Sequence, residues 1–599
     1  MTSLAPALTA AAYFPGARSE NEAWVRGEFQ AVLDHWFDWR KGLFSDDPSG
    51  CAPELRRSTP FLRERELLSE RLQALAEALT AETPTYSPRY LAHMKSDLSL
   101  PGLLGWFVAM LHNPNNTSQE ASRVGSVIEL EAIGRLAGML GYDPARAQGH
   151  FTSGGTVANF EAVWRARYRL DHWLSMGLYV AEATGEPLDV FSSAHMGWDR
   201  FRALWTAHGL SDAVLRRCSA VAANPAEIYR RISRASGADY LGPVVLVPGN
   251  KHYSWMKAAN LFWLGEDSFW SVALDREGRL DLADFERLVS RARLENRPIL
   301  MCVGVAGATE TGAVDPLHRL YDLMDGWETR RGWRIWRHVD AAYGGFFCSI
   351  LGGPGEAVLD GEVVGALRAV PRADSVTIDP HKLGYVPYAC GAFITPDKER
   401  YVVSAFDAPY LDRPELGPGK WSSTLEGSRS AAGAAATWLT AETLGLGPDR
   451  LGALLAGAVE ARRRFQSSLT TGAPTVRVLA PADTNILCFS VAEEGEALSV
   501  SNARTEAIFG HFQKSPDFAV SKTTLGPDYA AQIGIHLARH DGRADVDRLV
   551  VIRAVFMNPY WCEEGTEKRL APRFIAVLKE AMAQGTRSGI PPSSPREAA

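Results

Sequence analysis

Apolar residues in this chain recur at two different spacings, and the change from one to the other divides it. Between Glu64 and Leu79, leucines at 67, 68, 72, 75 and 79 repeat at close to the helical period, which predicts an amphipathic helix. Trp106–His112 runs helically into Asn113-Pro114-Asn115-Asn116, a strong turn signal. Glu129–Leu140 reads as a further helix, ended by Gly141 and Asp143-Pro144. After Gly154-Gly155 another helix is predicted, with Val157, Phe160, Trp164 and Tyr168 along its apolar face. From Val244 the pattern changes. Short runs at Val244–Val247, Ile299–Val305, Ile335–Val339 and Val376–Ile378 read as buried strands separated by helical stretches, which implies a parallel sheet. An alanine-rich helix, Ala431–Leu444, leads to Gly445, Gly447 and Pro448, a boundary signal; helical Leu451–Leu469 and strand-like Thr484–Val491 and Leu549–Phe556 follow. The expected organisation is an N-terminal helical segment (1–145), a large α/β domain (146–445), a smaller C-terminal α+β domain (446–585) and a disordered tail (586–599).

Composition narrows the class. The chain of 599 residues is 46% hydrophobic and 22% charged, as in an ordinary globular protein. A net charge of -7 argues against nucleic-acid binding, which calls for a basic face. The seven cysteines (51, 218, 302, 348, 390, 488 and 562) are scattered and never form a Cys-x-x-Cys pair. That fits reduced thiols and supports neither a disulfide framework nor a metal site. No apolar run approaches the roughly 18 residues of a membrane span, and Met1–Phe14 lacks the basic start of a signal peptide. The expectation is a soluble cytoplasmic protein with no nucleic-acid or membrane partner.

The candidate chemistry lies where the predicted strands end. Asp379-Pro380 breaks the run Val376–Ile378, placing Lys382 in the turn beyond a strand, among Leu383, Tyr385, Val386 and Tyr388. A lysine amine in such apolar and aromatic company suits covalent chemistry on a carbonyl. Asp340 ends the strand Ile335–Val339, Thr309 follows Ile299–Val305, and His252 follows Val244–Val247. Ser153-Gly154-Gly155-Thr156 opens a helix, whose first free N–H groups form an anion site. Singly, each is equally well a turn or cap residue. Together they are better explained by convergence at one crevice outside the strand ends. The set matches what pyridoxal 5'-phosphate needs: a cradle for the phosphate, an amine for the aldehyde and a carboxylate for the ring nitrogen.

Ser153-Gly154-Gly155-Thr156, His338-Val339-Asp340-Ala341-Ala342-Tyr343-Gly344 and Asp379-Pro380-His381-Lys382, in this order, resemble the group II pyridoxal-phosphate-dependent amino-acid decarboxylases. Within that family the chain looks most similar to the bacterial tyrosine decarboxylases, through Asn113–Asn116, Gly384-Tyr385-Val386-Pro387-Tyr388, Thr424–Arg429 and Met557-Asn558-Pro559-Tyr560. The resemblance spans roughly residues 85 to 560. It implies the fold of the type I, aspartate-aminotransferase-like enzymes and a homodimer with shared sites, to which residues 85–125, 401–420 and Gly427-Ser428 contribute. It implies that Lys382 carries the cofactor, Asp340 partners the ring nitrogen, and His252 and Ala342 flank the ring. Gly154, Gly155, Thr156 and His381 are then phosphate ligands, with Thr309 and Asp379 as further cofactor contacts. Ala308 departs from the threonine usual in relatives. Tyr410 falls where the family carries a catalytic tyrosine on a loop, and His252 and Tyr388 are rival proton donors. The implied reaction is α-decarboxylation of an L-amino acid, with an aromatic, tyrosine-like substrate favoured. Valine or leucine as substrate, or a carbon–carbon lyase or aldehyde-forming reaction on the same scaffold, remain open at this point.

Overall fold

The structure, a computed structural model, describes residues 5–404 and 421–585. Tyr410 and the tail expected at 586–599 lie outside the described residues.

Eleven strands occur among the described residues: β1 (Gln148–Thr152), β2 (Val244–Pro248), β3 (Phe269–Val272), β4 (Ile299–Val305), β5 (Arg337–Asp340), β6 (Ser375–Ile378), β7 (Gly391–Thr395), β8 (Val476–Val478), β9 (Ile486–Val491), β10 (Ser521–Leu525) and β11 (Leu549–Val555). The first seven form one sheet in the order β1-β7-β6-β5-β4-β2-β3. Five of them run parallel, and β7 and β1 close one edge antiparallel. The remaining four form an antiparallel sheet in the order β10-β11-β9-β8.

Alternation of side chains puts the two faces of the large sheet into separate cores. Val245, Val247 and Phe393 pack with Ala158, Ala162 and Ala166 of the helix Gly155–Thr184. Val244, Leu246, Val376 and Ile394 pack on the other side with Leu288, Val289, Leu320 and Met324. Every residue of β2, β4, β6 and β7 is buried, as expected of strands covered on both faces. The smaller sheet packs Phe489, Ile552 and Phe556 against Phe465, Trp561 and Phe574. A segment from far upstream joins it: Leu91 N donates to Ala519 O and Leu91 O accepts from Val555 N, each at 2.8 Å.

Three expectations need correction. The third predicted strand begins at Arg337, two residues beyond Ile335, and reaches Asp340 itself. Two strands absent from the sequence reading, β1 and β7, make the sheet mixed. Both are short and carry glycine, histidine or threonine in place of a β-branched run. Finally, the helix after the glycines turns its small residues inward: Ala158, Ala162 and Ala166 are fully buried, whereas Val157, Phe160, Trp164 and Tyr168 are only half-buried. A helix lying close on a sheet leaves no room for large side chains on the contact face.

Candidate active site

One transverse row of the large sheet sets the site. Val305, Asp340, Thr377, Phe393 and His150 are register partners from β4 across β5, β6 and β7 to β1. The carboxyl ends of β4, β5 and β6 therefore lie side by side, and the turns beyond them open into a cavity of about 340 Å3. Ser153 and Thr156 from the helix start, His252 beyond β2, Thr309, Asp340, Asp379, Lys382 and Tyr388 all line it. Gly154, Gly155, Ala342 and His381 complete the set, so each described residue singled out from the sequence reaches this one cavity.

At the floor, Asp340 is 6% exposed. Its Oδ2 accepts hydrogen bonds from Asn159 Nδ2 at 2.9 Å and from Trp255 Nε1 at 3.2 Å. Asn159 is itself fixed: its amide also donates to Ser254 Oγ at 3.0 Å, and its Oδ1 lies 3.3 Å from His338 Nε2. His338 is wholly buried, which lowers its pKa to about 4 and keeps the ring neutral at ordinary pH. A carboxylate held by two donors on packed elements is a preorganised negative charge.

Asp379, 2% exposed, sits between the glycine cradle and the lysine. Its Oδ2 is 3.0 Å from Lys382 Nζ and 3.6 Å from His381 Nε2. The lysine amine thus has a carboxylate for a neighbour besides the apolar and aromatic residues expected, of which Leu383, Tyr385 and Val386 are buried in the core. Asp379 Oδ1 is buried with no hydrogen-bond partner among the described residues. Two glycines make room for this carboxylate: a Cβ on Gly155 would stand 2.9 Å from Asp379 Oδ2, and one on Gly391 would stand 2.8 Å from Oδ1. His381 Nδ1 accepts from Cys390 N at 3.1 Å, and Ser254 N donates to His252 Nδ1 at 3.2 Å. In the neutral ring each Nε2 then carries the hydrogen, and burial lowers the pKa of both histidines. Tyr388 lies over His381 with ring centroids 4.1 Å apart and is 54% exposed.

Sequence reasoning missed Asn159, Trp255 and Asn250. The first two orient Asp340; the third lines the cavity with a buried Oδ1 that has no partner among the described residues. The available signal was an asparagine one turn inside the helix that follows the glycines, on the side opposite the aromatic stripe.

Comparison with known proteins bears on the family and the fold. A family model described as the pyridoxal-dependent decarboxylase conserved domain matches residues 211–490. L-Tyrosine decarboxylase of Enterococcus faecium is 30% identical over 486 residues, covering 76% of each chain. L-Tyrosine decarboxylase of Levilactobacillus brevis is 28% identical over 615 aligned positions, 95% of each chain. A crystal structure of Oryza sativa TDC with PLP and tryptamine superposes with a TM-score of 0.61 at 19% identity, covering 93% of this chain and 98% of that one. The last likeness concerns the fold, which is that of the type I pyridoxal-phosphate enzymes.

Proposed function

Starting from a chain that belongs to the pyridoxal-dependent amino-acid decarboxylase family, we propose that it removes the α-carboxylate of an aromatic, tyrosine-like L-amino acid, giving the primary amine and carbon dioxide. The observation that carries the reading is the single cavity shared by Lys382, Asp340 and the glycine cradle, in a chain 28–30% identical to two tyrosine decarboxylases.

The donor set fits pyridoxal 5'-phosphate. An anion-accepting helix start, a buried carboxylate and a lysine amine all line the one cavity. The volume of about 340 Å3 falls within the roughly 300–1,000 Å3 of small-molecule sites. Once bound, this cofactor supplies an electron-poor ring that takes up the electron pair left when the Cα–carboxylate bond breaks.

The remaining work falls to the side chains. Lys382 would hold the cofactor through its amine. Asp340, oriented by Asn159 and Trp255, keeps a proton on the ring nitrogen and so preserves its electron demand. Gly154, Gly155, Thr156 and His381 would hold the phosphate, with His252, Ala342, Thr309 and Asp379 as the further residues that would contact the cofactor. Tyr410 delivers the proton to Cα after carbon dioxide leaves, with His252 Nε2 and the Tyr388 hydroxyl as rivals.

The working unit in this reading is a homodimer. Its support is the N-terminal pair of helices, Glu22–Leu43 and Thr59–Leu79, which bury none of their residues and expose Trp24, Phe37, Leu72 and Leu75. Cytoplasmic residence rests on the seven free cysteines; no helix among the described residues is long and apolar enough to cross a membrane.

The deciding experiment supplies purified protein and pyridoxal phosphate with each of the twenty amino acids and measures carbon dioxide together with amine. Equal yields of both from tyrosine or a related aromatic acid are expected. Equal yields from valine or leucine alone would move the substrate class, and aldehyde without amine would move the reaction.

A further inference from the structure

We propose that Glu426 is an internal competitor for the cofactor's phosphate. Its carboxylate accepts from the backbone N–H of Ser153, two residues ahead of the helix Gly155–Thr184 and next to the residues assigned to the phosphate, and has to yield as the phosphate enters. This deepens the reading above and rests on its assignment of Gly154, Gly155, Thr156 and His381 as the phosphate ligands.

Ser153, on the cavity wall, donates its backbone N–H to Glu426 Oε2 at 3.3 Å. The helix that follows is 30 residues long, and its amino end carries a partial positive charge that favours any nearby anion. Glu426 is therefore held beside the residues assigned to the phosphate. Its position is set by buried groups on either side. Glu161, fully buried on the same helix, accepts from Leu425 N at 2.7 Å, and Arg165 donates to Ser423 O. Thr424 Oγ1 donates to Glu426 O at 2.8 Å, and Asn115 Nδ2 donates to Ser428 Oγ at 3.1 Å. Arg429, buried with Glu129 as its ion-pair partner, closes the far end. A half-buried glutamate on so fixed a backbone is not a freely swinging surface charge.

The other charges at this end do not neutralise it. Asp379 already engages Lys382 at 3.0 Å, and burial lowers the pKa of His381, favouring its neutral form. A phosphate dianion arriving here meets a carboxylate of like sign, which costs affinity until that carboxylate moves away. Pyridoxal, which has the same aldehyde and ring but no phosphate, meets no such opposition.

The test uses the full-length apoenzyme, titrated separately with pyridoxal phosphate and with pyridoxal, and read by visible absorbance and by tryptophan fluorescence. Glu426→Gln keeps an oxygen that can accept from Ser153 N and removes only the charge; Glu426→Ala removes both. For either variant the dissociation constant for pyridoxal phosphate is expected to fall about fivefold or more, with that for pyridoxal within about twofold of wild type. Should one variant fail to fold, the other carries the same expectation. An unchanged or weaker affinity for pyridoxal phosphate, or an equal shift for both ligands, would overturn the proposal. Failure of the wild-type protein to bind pyridoxal phosphate at all would instead strike the cofactor assignment beneath it.

Discussion

Asn159 Nδ2 donates to Asp340 Oδ2 over 2.9 Å, joining the helix that starts at the cradle to the strand that supplies the carboxylate. Both side chains are buried, and Asn159 Oδ1 faces His338 Nε2. Replacing Asn159 by alanine removes a donor to a buried charge and leaves His338 short of a partner. Turnover is expected to drop on the order of tenfold, and stability by about 1–3 kcal/mol. Steady-state kinetics and urea denaturation of the same preparation check both.

Asp340→Asn keeps the shape of the floor and removes its charge. A neutral amide cannot hold the proton on the ring nitrogen, so kcat is expected to fall on the order of a hundredfold or more. Cofactor content should stay near one per chain, measured by absorbance after alkali release. Near-normal turnover would make the carboxylate structural.

Lys382 is one of several lysines in reach of a solution aldehyde. Its amine stands over the carboxylate of Asp379, beside the cradle, whereas Lys251 donates to Ser271 Oγ at 2.6 Å and Lys257 packs over the Tyr253 ring. Borohydride reduction of the cofactor-loaded protein, followed by peptide mapping, should place the adduct on Lys382. Label on Lys251 or Lys257 would refute the assignment.

Tyr388 and Tyr410 are separated by their effects on product. If Tyr410 protonates Cα, Tyr410→Phe releases carbon dioxide but forms less than one amine per carbon dioxide. Tyr388→Phe keeps the ring over His381 and should keep that ratio near one. Simultaneous assay of both products decides, and a ratio that falls only in Tyr388→Phe transfers the role to Tyr388.

His195 gives the chain an acid-sensitive point away from the cavity. In the neutral tautomer Nδ1–H donates to Phe191 O at 2.7 Å and Nε2 accepts from Ile299 N at 3.2 Å. Complete burial lowers its pKa from 6.5 to about 4. Between those values the unfolded chain binds a proton that the folded chain refuses. The contribution is therefore intact above pH 6.5 and is lost as the pH falls towards 4. That interval is worth roughly 3 kcal/mol at its acid end. Denaturation curves from neutral pH to about pH 5 should be less pH-dependent in His195→Gln than in wild type.

The site was more legible than the scaffold around it. Glycine, aspartate, histidine and lysine at successive strand ends announce chemistry through residue type, so Gly154, Asp340 and Lys382, ambiguous one by one, could be read as a set. The antiparallel edge could not: β7, Gly-Ala-Phe-Ile-Thr, looks like any short apolar loop until its partner from residue 148 onward is known. The helix face was misread because aromatic periodicity outweighs a stripe of alanines in a sequence pattern, whereas in packing the small residues come closest to the sheet. Asn159 escaped notice for the same reason, lying on the side opposite the aromatic stripe.

The β1–β7 pairing also has a bearing on how the protein is made. Thr395 Oγ1 donates to Gln148 O across 247 residues of chain, and the strand that precedes the cradle has no sheet neighbour until β7 exists. At bacterial-to-eukaryotic elongation rates of about 5–20 residues per second, a ribosome needs roughly 10–50 s to travel that distance. For that time the nascent chain exposes β1 as an unpaired edge, with the cradle and the lysine still unjoined. Cofactor capture must then follow emergence of Thr395, and a polypeptide stopped before that residue should bind no pyridoxal phosphate however well its earlier helices form.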